Sequence, residues 1–267
     1  MPPPEKRFTQ ALLDQALSMI RASLEDVDRL TLFEISRVAL GFRLEVLNKG
    51  VAKLTQLTVR AGPFAGMRYI AQASGSVYAP KLLGTYEAEL APVFTKLSPY
   101  TTFIDIGAAE GYYAVGVARA APHINVIGFD TDLAALESAR TLADLNAVSD
   151  RIELHGAFDR SLCGDLDPAR TLVLIDIEGA EVELLPELLA TDLIGATVVV
   201  ETHVVKGERT EIAVVEALEP SHRIERVTQV SRAPETIPDI CELNQFERFL
   251  CVWEGRNAEG WIIARPT

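Results

Sequence analysis

The chain has 267 residues, of which 48% are hydrophobic and 24% charged, and a formal net charge of -13. That is enough sequence for one large domain plus an extension, and the balance is that of a globular protein. The acidic surplus repels phosphate backbones and the bases are scattered, which argues against a nucleic-acid partner.

Cys163, Cys241 and Cys251 form no CxxC pair. They read as reduced thiols of a cytoplasmic protein rather than as zinc ligands, and no metal is expected. The opening MPPPEKRFTQ lacks the apolar core of a signal peptide, and no stretch approaches a membrane span, so no membrane partner is expected.

Two amphipathic helices are expected first. Residues 8–24 carry Leu12, Leu13, Ala16, Leu17 and Ile20 at helical spacing, and residues 28–48 carry Leu32, Ile35, Ala39, Phe42 and Val46. VRAGPFAGMRYI (59–70), with Gly62, Pro63 and Gly66, predicts a short hairpin, and KLLGTYEAELAPVF (81–94) a helix. The expected organisation is a helical extension (1–58), a lead-in hairpin and helix (59–97) and a main domain (98–267). The apolar stripes of the extension need a partner, either the main domain or a second subunit, and a homodimer is expected.

From residue 100 the pattern alternates. TFIDIG, NVIGFD, RIELHG, TLVLIDIE and ATVVVETHVV read as strands. GYYAVGVARAA, DLAALESARTLADLN, AEVELLPELLAT and EIAVVEALEP read as helices. RIERVTQV and RFLCVWEG complete seven strands. They follow each other without a helix, so at least one should be antiparallel. Apolar, β-branched strands alternating with helices predict an α/β fold: a Rossmann-like, doubly wound, mostly parallel seven-stranded sheet with a helical N-terminal extension.

Ligands of such sheets bind beyond the carboxyl ends of the strands. There the chain places Asp105, Gly107 and Gly111, then Asp130, then His155 and Gly156, then Asp176 and Glu178, then Glu201 and His203. Glycines 107 and 111 permit a tight turn and a close backbone approach, and Asp130 is placed to accept both hydroxyls of a ribose. These features indicate a nucleoside-bearing cofactor. A pyrophosphate would be repelled by Asp105 and Glu110, whereas a sulfonium with an amino group would be attracted. S-adenosylmethionine is therefore favoured over NAD.

FIDIGAAEGYYAVGVA, VIGFDTD, LVLIDIEGAEVELL and VVVETH resemble the motifs of class I methyltransferases. Within that class the chain is similar to the FkbM-like family, whose hallmark is a D-x-E-G-x-E stretch after the fourth strand. The resemblance covers residues 80–230 and includes GTYEAEL (84–90). It departs from the common pattern at Ala109, where a glycine is usual, and at Asp130, where the family often has Glu. It implies methyl transfer to a hydroxyl of a small-molecule or sugar-like acceptor. Tyr86, Glu87, Asp105, Gly107, Ala108, Ala109, Gly111, Asp130, Thr131, Gly156, Ala157 and Asp176 would bind the cofactor. Asp176, Glu178 and His203 would serve catalysis, with Glu178 or His203 as base. Glu181 is expected mainly to favour its helix N-terminus. An NAD-dependent oxidoreductase and a non-catalytic S-adenosylmethionine-binding domain remain the alternatives.

Overall fold

The computed structural model describes residue 18 and residues 32–71, 77–205, 207–256 and 260–267. The helix expected at 8–24 lies outside them but for Ser18, as do the side chains of Leu32, Ile35, Ala39 and Phe42 in the second. Helix α1 (Leu32–Thr55) buries Leu47 and Val51 against the main core, so its described face is covered by the chain itself. The expected hairpin at 59–70 contracts to a single antiparallel bridge, Thr58 to Arg68, with Val59 N–H donating to Met67 O at 2.9 Å.

The helix expected over 81–94 is broken. Helix α2 (Tyr78–Leu83) ends at Gly84, whose φ of 77° is left-handed, and a Cβ there would lie 2.1 Å from Ala61 O. A 3-10 turn (Ala88–Leu90) and the short helix α3 (Ala91–Phe94) follow.

Strands β1 (Thr102–Ile106), β2 (Asn125–Phe129), β3 (Ile152–His155), β4 (Thr171–Ile175) and β5 (Thr197–Thr202) are parallel. Helices α4 (Tyr112–Ala120), α5 (Leu133–Leu145) and α6 (Glu181–Leu189) connect them, with Asp132 capping α5 through Ala134 N–H. After β5 come a two-residue ribbon (Val204–Val205 with Glu208–Arg209), helix α7 (Glu211–Leu218) and β6 (His222–Thr228). The sheet closes with β7 (Gly260–Pro266), antiparallel to both β5 and β6, giving the order β3-β2-β1-β4-β5-β7-β6. This is the expected Rossmann-like fold.

The seventh strand is not RFLCVWEG. That stretch lies in helix α8 (Gln245–Val252) and the turn after it, and WIIARP supplies the strand. The reason is local: Asn244 and Glu247 form a reciprocal capping box, which fixes a helix start three residues before the apolar run. The last two strands are thus separated by a helix, contrary to the sequence pattern.

Alternation along the strands builds two cores. Phe103, Val126, Leu172, Leu174, Val199 and Ile263 face one side, with α1, α2, α4 and α8. Ile104, Ile127, Val173, Ile175, Val198 and Val200 face the other, with α6 and α7. Asp105 and Glu201 share the first side, because each lies two residues beyond a member of that set. Among the described residues no helix is long and apolar enough to cross a membrane.

Candidate functional site

Two cavities open at the carboxyl ends of the parallel strands and share Gly107, Asp130, Asp176 and Glu178. Gly107 is the hinge between them. Its φ is 93°, and a Cβ there would lie 1.7 Å from Asp176 O, so β1 and β4 meet over a position only glycine fits.

The first cavity, about 640 Å³, is polar. Of the expected cofactor residues, Tyr86, Ala108 and Ala109 line it, and so does His203. Asp130 accepts from Ala109 N–H at 2.7 Å and from Asp132 N–H at 2.8 Å, so its carboxylate shapes the glycine turn as well as facing the cavity. The second cavity, about 560 Å³, takes in Thr131, Gly156 and Ala157 and has apolar walls from Phe129, Phe158, Ile177 and Leu184.

Three expected residues line neither cavity. Gly111 lies against helix α5, where a Cβ would be 3.0 Å from Ala139 Cβ. Asp105 lies behind the wall, 1% exposed, and its Oδ2 has no hydrogen-bond partner among the described residues. Burial, with Asp176 adding to it, pushes this carboxyl up to about 8. Glu87 acts through neighbours: it is 3% exposed, accepts from Tyr113 Oη and pairs with Arg256.

The polar cavity is crowded with acids. Asp176 is pushed up to about 7 by burial, with Glu87 raising it further and His203 and Arg256 opposing. Glu254 is pushed up to about 7 by burial against the pull of Arg232. The ligand atoms of Glu87, Asp176 and Glu201 lie within 4.8 Å of one another, as do those of Asp176, Glu178 and His203, so each trio is close enough to embrace a cationic group. Arg256 fills the first of these, pairing with Glu87, Glu201 and, at 3.2 Å, Glu254.

Sequence reasoning missed Arg256 and the carboxylates that hold it, and it misread Glu181. Glu181 begins α6 as expected, yet it is fully buried and its Oε1 lies 2.8 Å from His203 Nδ1. The only sequence signal was its spacing from Asp176 and Glu178. Above the cavity, Arg232 donates to Glu89 and Glu254 at 2.7 Å and to Thr85 O at 2.9 Å, tying residues 85–89 to residues 230–256.

No family model and no curated protein matches the chain. Solved structures similar to it include the O-methyltransferase TomG of Streptomyces achromogenes, involved in tomaymycin synthesis and solved with SAM. The two are 17% identical over 69% of this chain and 81% of that one, with a TM-score of 0.48. An O-methyltransferase of Bacillus cereus, solved with SAH, is 12% identical over 84% of this chain and 90% of that one, TM-score 0.48. A precorrin-6y C5,15-methyltransferase of Geobacter metallireducens is 16% identical over 68% and 89%, TM-score 0.47.

Proposed function

We propose that this protein is an S-adenosylmethionine-dependent methyltransferase acting on a hydroxyl of a small-molecule or sugar-like acceptor. One observation carries the reading: two cavities meet at Gly107 and share Asp130, Asp176 and Glu178, one adding apolar walls from Phe129, Phe158, Ile177 and Leu184 and the other adding Glu201 and Glu254. A ligand with a flat apolar base at one end and a cationic sulfur and amine at the other matches both. A pyrophosphate in the polar cavity would face Asp130, Asp176, Glu178, Glu201 and Glu254.

The residues fit such a cofactor. Gly107 lines both cavities, Asp130 offers its carboxylate to a ribose diol, and Phe129 and Phe158 flank the place for a base. When bound, the cofactor supplies a methyl group on a cationic sulfur. The protein's part is to hold the acceptor oxygen in line with that methyl and to keep Asp176 beside the cation. Burial has already raised the cost of charge on Asp176, so the cation would relieve its repulsion from Glu87.

The reading extends to FkbM-like affinity on the DIEGAE stretch (176–181), to a cytoplasmic location, and to the division 1–58, 59–97 and 98–267. It also includes a homodimer through the N-terminal helices. Light scattering giving a monomer mass would remove it. The deciding experiment for the activity is titration calorimetry with S-adenosylmethionine and NAD. Micromolar binding of the first alone, roughly 8 kcal/mol at 1 μM, weakened by Asp130→Ala, is the expected result. Binding of NAD alone overturns the reading.

A further inference from the structure

We propose that Glu181 is a positioning residue that fixes the tautomer and orientation of His203, so that His203 Nε2 takes the proton of the acceptor hydroxyl. The inference rests on the methyl-transfer reading for its substrate and on this chain's own geometry for the rest.

The main chain of His203 is held at both ends by one residue. Its N–H donates to Thr210 Oγ1 at 2.9 Å, and its carbonyl accepts from Thr210 N–H at 2.9 Å. The imidazole, 8% exposed, has its Nδ1 2.8 Å from Glu181 Oε1, an ion-pair contact in which the ring N–H is not aligned as a hydrogen bond. Glu181 is itself immobilised. Its Oε1 accepts from Gly179 N–H at 3.0 Å and Ile177 N–H at 3.4 Å. The turn that aims those N–H groups inward needs left-handed backbone at Glu178 and Gly179, with φ of 54° and 108°. A buried carboxylate at that distance favours a proton on Nδ1, which leaves the Nε2 lone pair for the other side.

Nε2 faces the polar cavity. Asp176 Oδ1 is 3.5 Å away, Glu178 Oε2 3.7 Å and Glu201 Oε1 3.9 Å; none of these is within hydrogen-bonding geometry. Arg256 pairs with Glu201 and completes the charged surroundings. A hydroxyl entering this gap meets a base held by a second group, the arrangement that general-base catalysis requires. The step balances. The hydroxyl O–H bond breaks and its proton goes to Nε2. The oxygen's electron pair forms the bond to the methyl carbon, and the carbon–sulfur bond breaks with its electrons on sulfur. The imidazolium then returns its proton to solvent.

Electrostatics adds a condition. Burial alone would lower the His203 imidazole, but Glu181, then Asp176 and Glu178, override it and hold it above its ordinary value. Glu181 in turn is kept below the usual carboxylate range by His203 and by Gly179 N–H, against its own burial. A cation beside Asp176 would oppose the rise at His203 and favour the neutral imidazole.

The test is histidine-selective ¹⁵N NMR on the full chain without cofactor. The wild type should show His203 as the Nδ1–H tautomer when neutral, titrating above the ordinary histidine value. Glu181→Gln should lower that midpoint by ~1 pH unit, and Glu181→Asp should restore part of it. Adding S-adenosylmethionine to the wild type should lower the midpoint more than its demethylated, neutral-sulfur product does. With an acceptor in hand, Glu181→Gln should cost roughly 10²-fold in kcat with little change in cofactor affinity, and Glu181→Asp should recover part of the rate. A wild-type Nε2–H tautomer, or an unmoved midpoint in Glu181→Gln, overturns the proposal; the first needs no variant to fold. Failure of the wild type to bind S-adenosylmethionine by calorimetry would instead remove the methyl-transfer reading and with it the hydroxyl substrate.

Discussion

The two cavities sit at the same strand ends and differ because the strands alternate. On the side of Ile106, Phe129 and Ile177 the chain continues its apolar register past the last sheet residue. On the side of Phe103, Leu174 and Val199 the next residue along each strand is Asp105, Asp176 or Glu201. Around the acids they share, one cavity adds hydrocarbon walls and the other adds further carboxylates. A period of two thus gives one ligand two environments about a single glycine. The aromatic and aliphatic walls of the one side bind by area, a contribution that salt changes little. The acidic side binds by charge and responds to pH and salt.

That contrast can be broken outright at its hinge. Gly107→Ala places a methyl against Asp176 O and demands a left-handed alanine. It should abolish cofactor binding and cost about 1–3 kcal/mol of stability, read by calorimetry and urea denaturation. Next in size, Asp176→Asn and Glu178→Gln should lower methyl transfer about 10²- to 10⁴-fold while leaving stability nearly unchanged. Glu178 is exposed, and Asp176 already pays for its charge. Near-wild-type turnover in both would reduce the acidic side to a helix cap.

The apolar side should behave otherwise. Phe158 is half-buried against Phe129, at 5.2 Å between ring centroids. Phe158→Ala should weaken the cofactor by about tenfold, roughly 1.4 kcal/mol, equally at low and high salt. The loss in Asp176→Asn should instead shrink as salt rises. Calorimetry at two ionic strengths separates them.

The smallest effect is on stability against pH. Asp105 titrates at about 8 in the fold against an ordinary 3.8. Between those values the folded chain keeps a proton that the unfolded chain has lost, so stability falls as pH rises through that window. Asp176 and Glu254 act in the same direction. Asp105→Asn should flatten the fall by roughly 1–2 kcal/mol at pH 8, and the thermal shift given by a cationic cofactor should grow with pH.

How much of this was legible in the sequence follows from range. The five parallel strands were, because each is a short apolar run closed by an acid or glycine. So were Gly107, Asp130, Asp176 and His203, which lie where such runs stop. The seventh strand was misplaced because RFLCVWEG has the composition of a strand and only the Asn244–Glu247 cap turns it into a helix. A glycine that admits a neighbouring helix, as Gly111 does at Ala139, looks the same in sequence as one that admits a cofactor. Glu181 was read as a helix-end charge because its burial depends on the left-handed turn before it. Arg256 was invisible: its partners Glu87 and Glu201 are 169 and 55 residues away.

The ties made by Arg232 and Arg256 carry a kinetic consequence. Arg232 joins Glu89 across 143 residues, and Arg256 joins Glu87 across 169. Contacts of such sequence separation form late, since the loop they close must be ordered before they repay it. The polar cavity's walls therefore come together only after the parallel sheet exists and the stretch through residue 256 has docked. On refolding, the sheet's secondary structure should return before the capacity to hold ligand, and the interval between the two should lengthen in Arg232→Met.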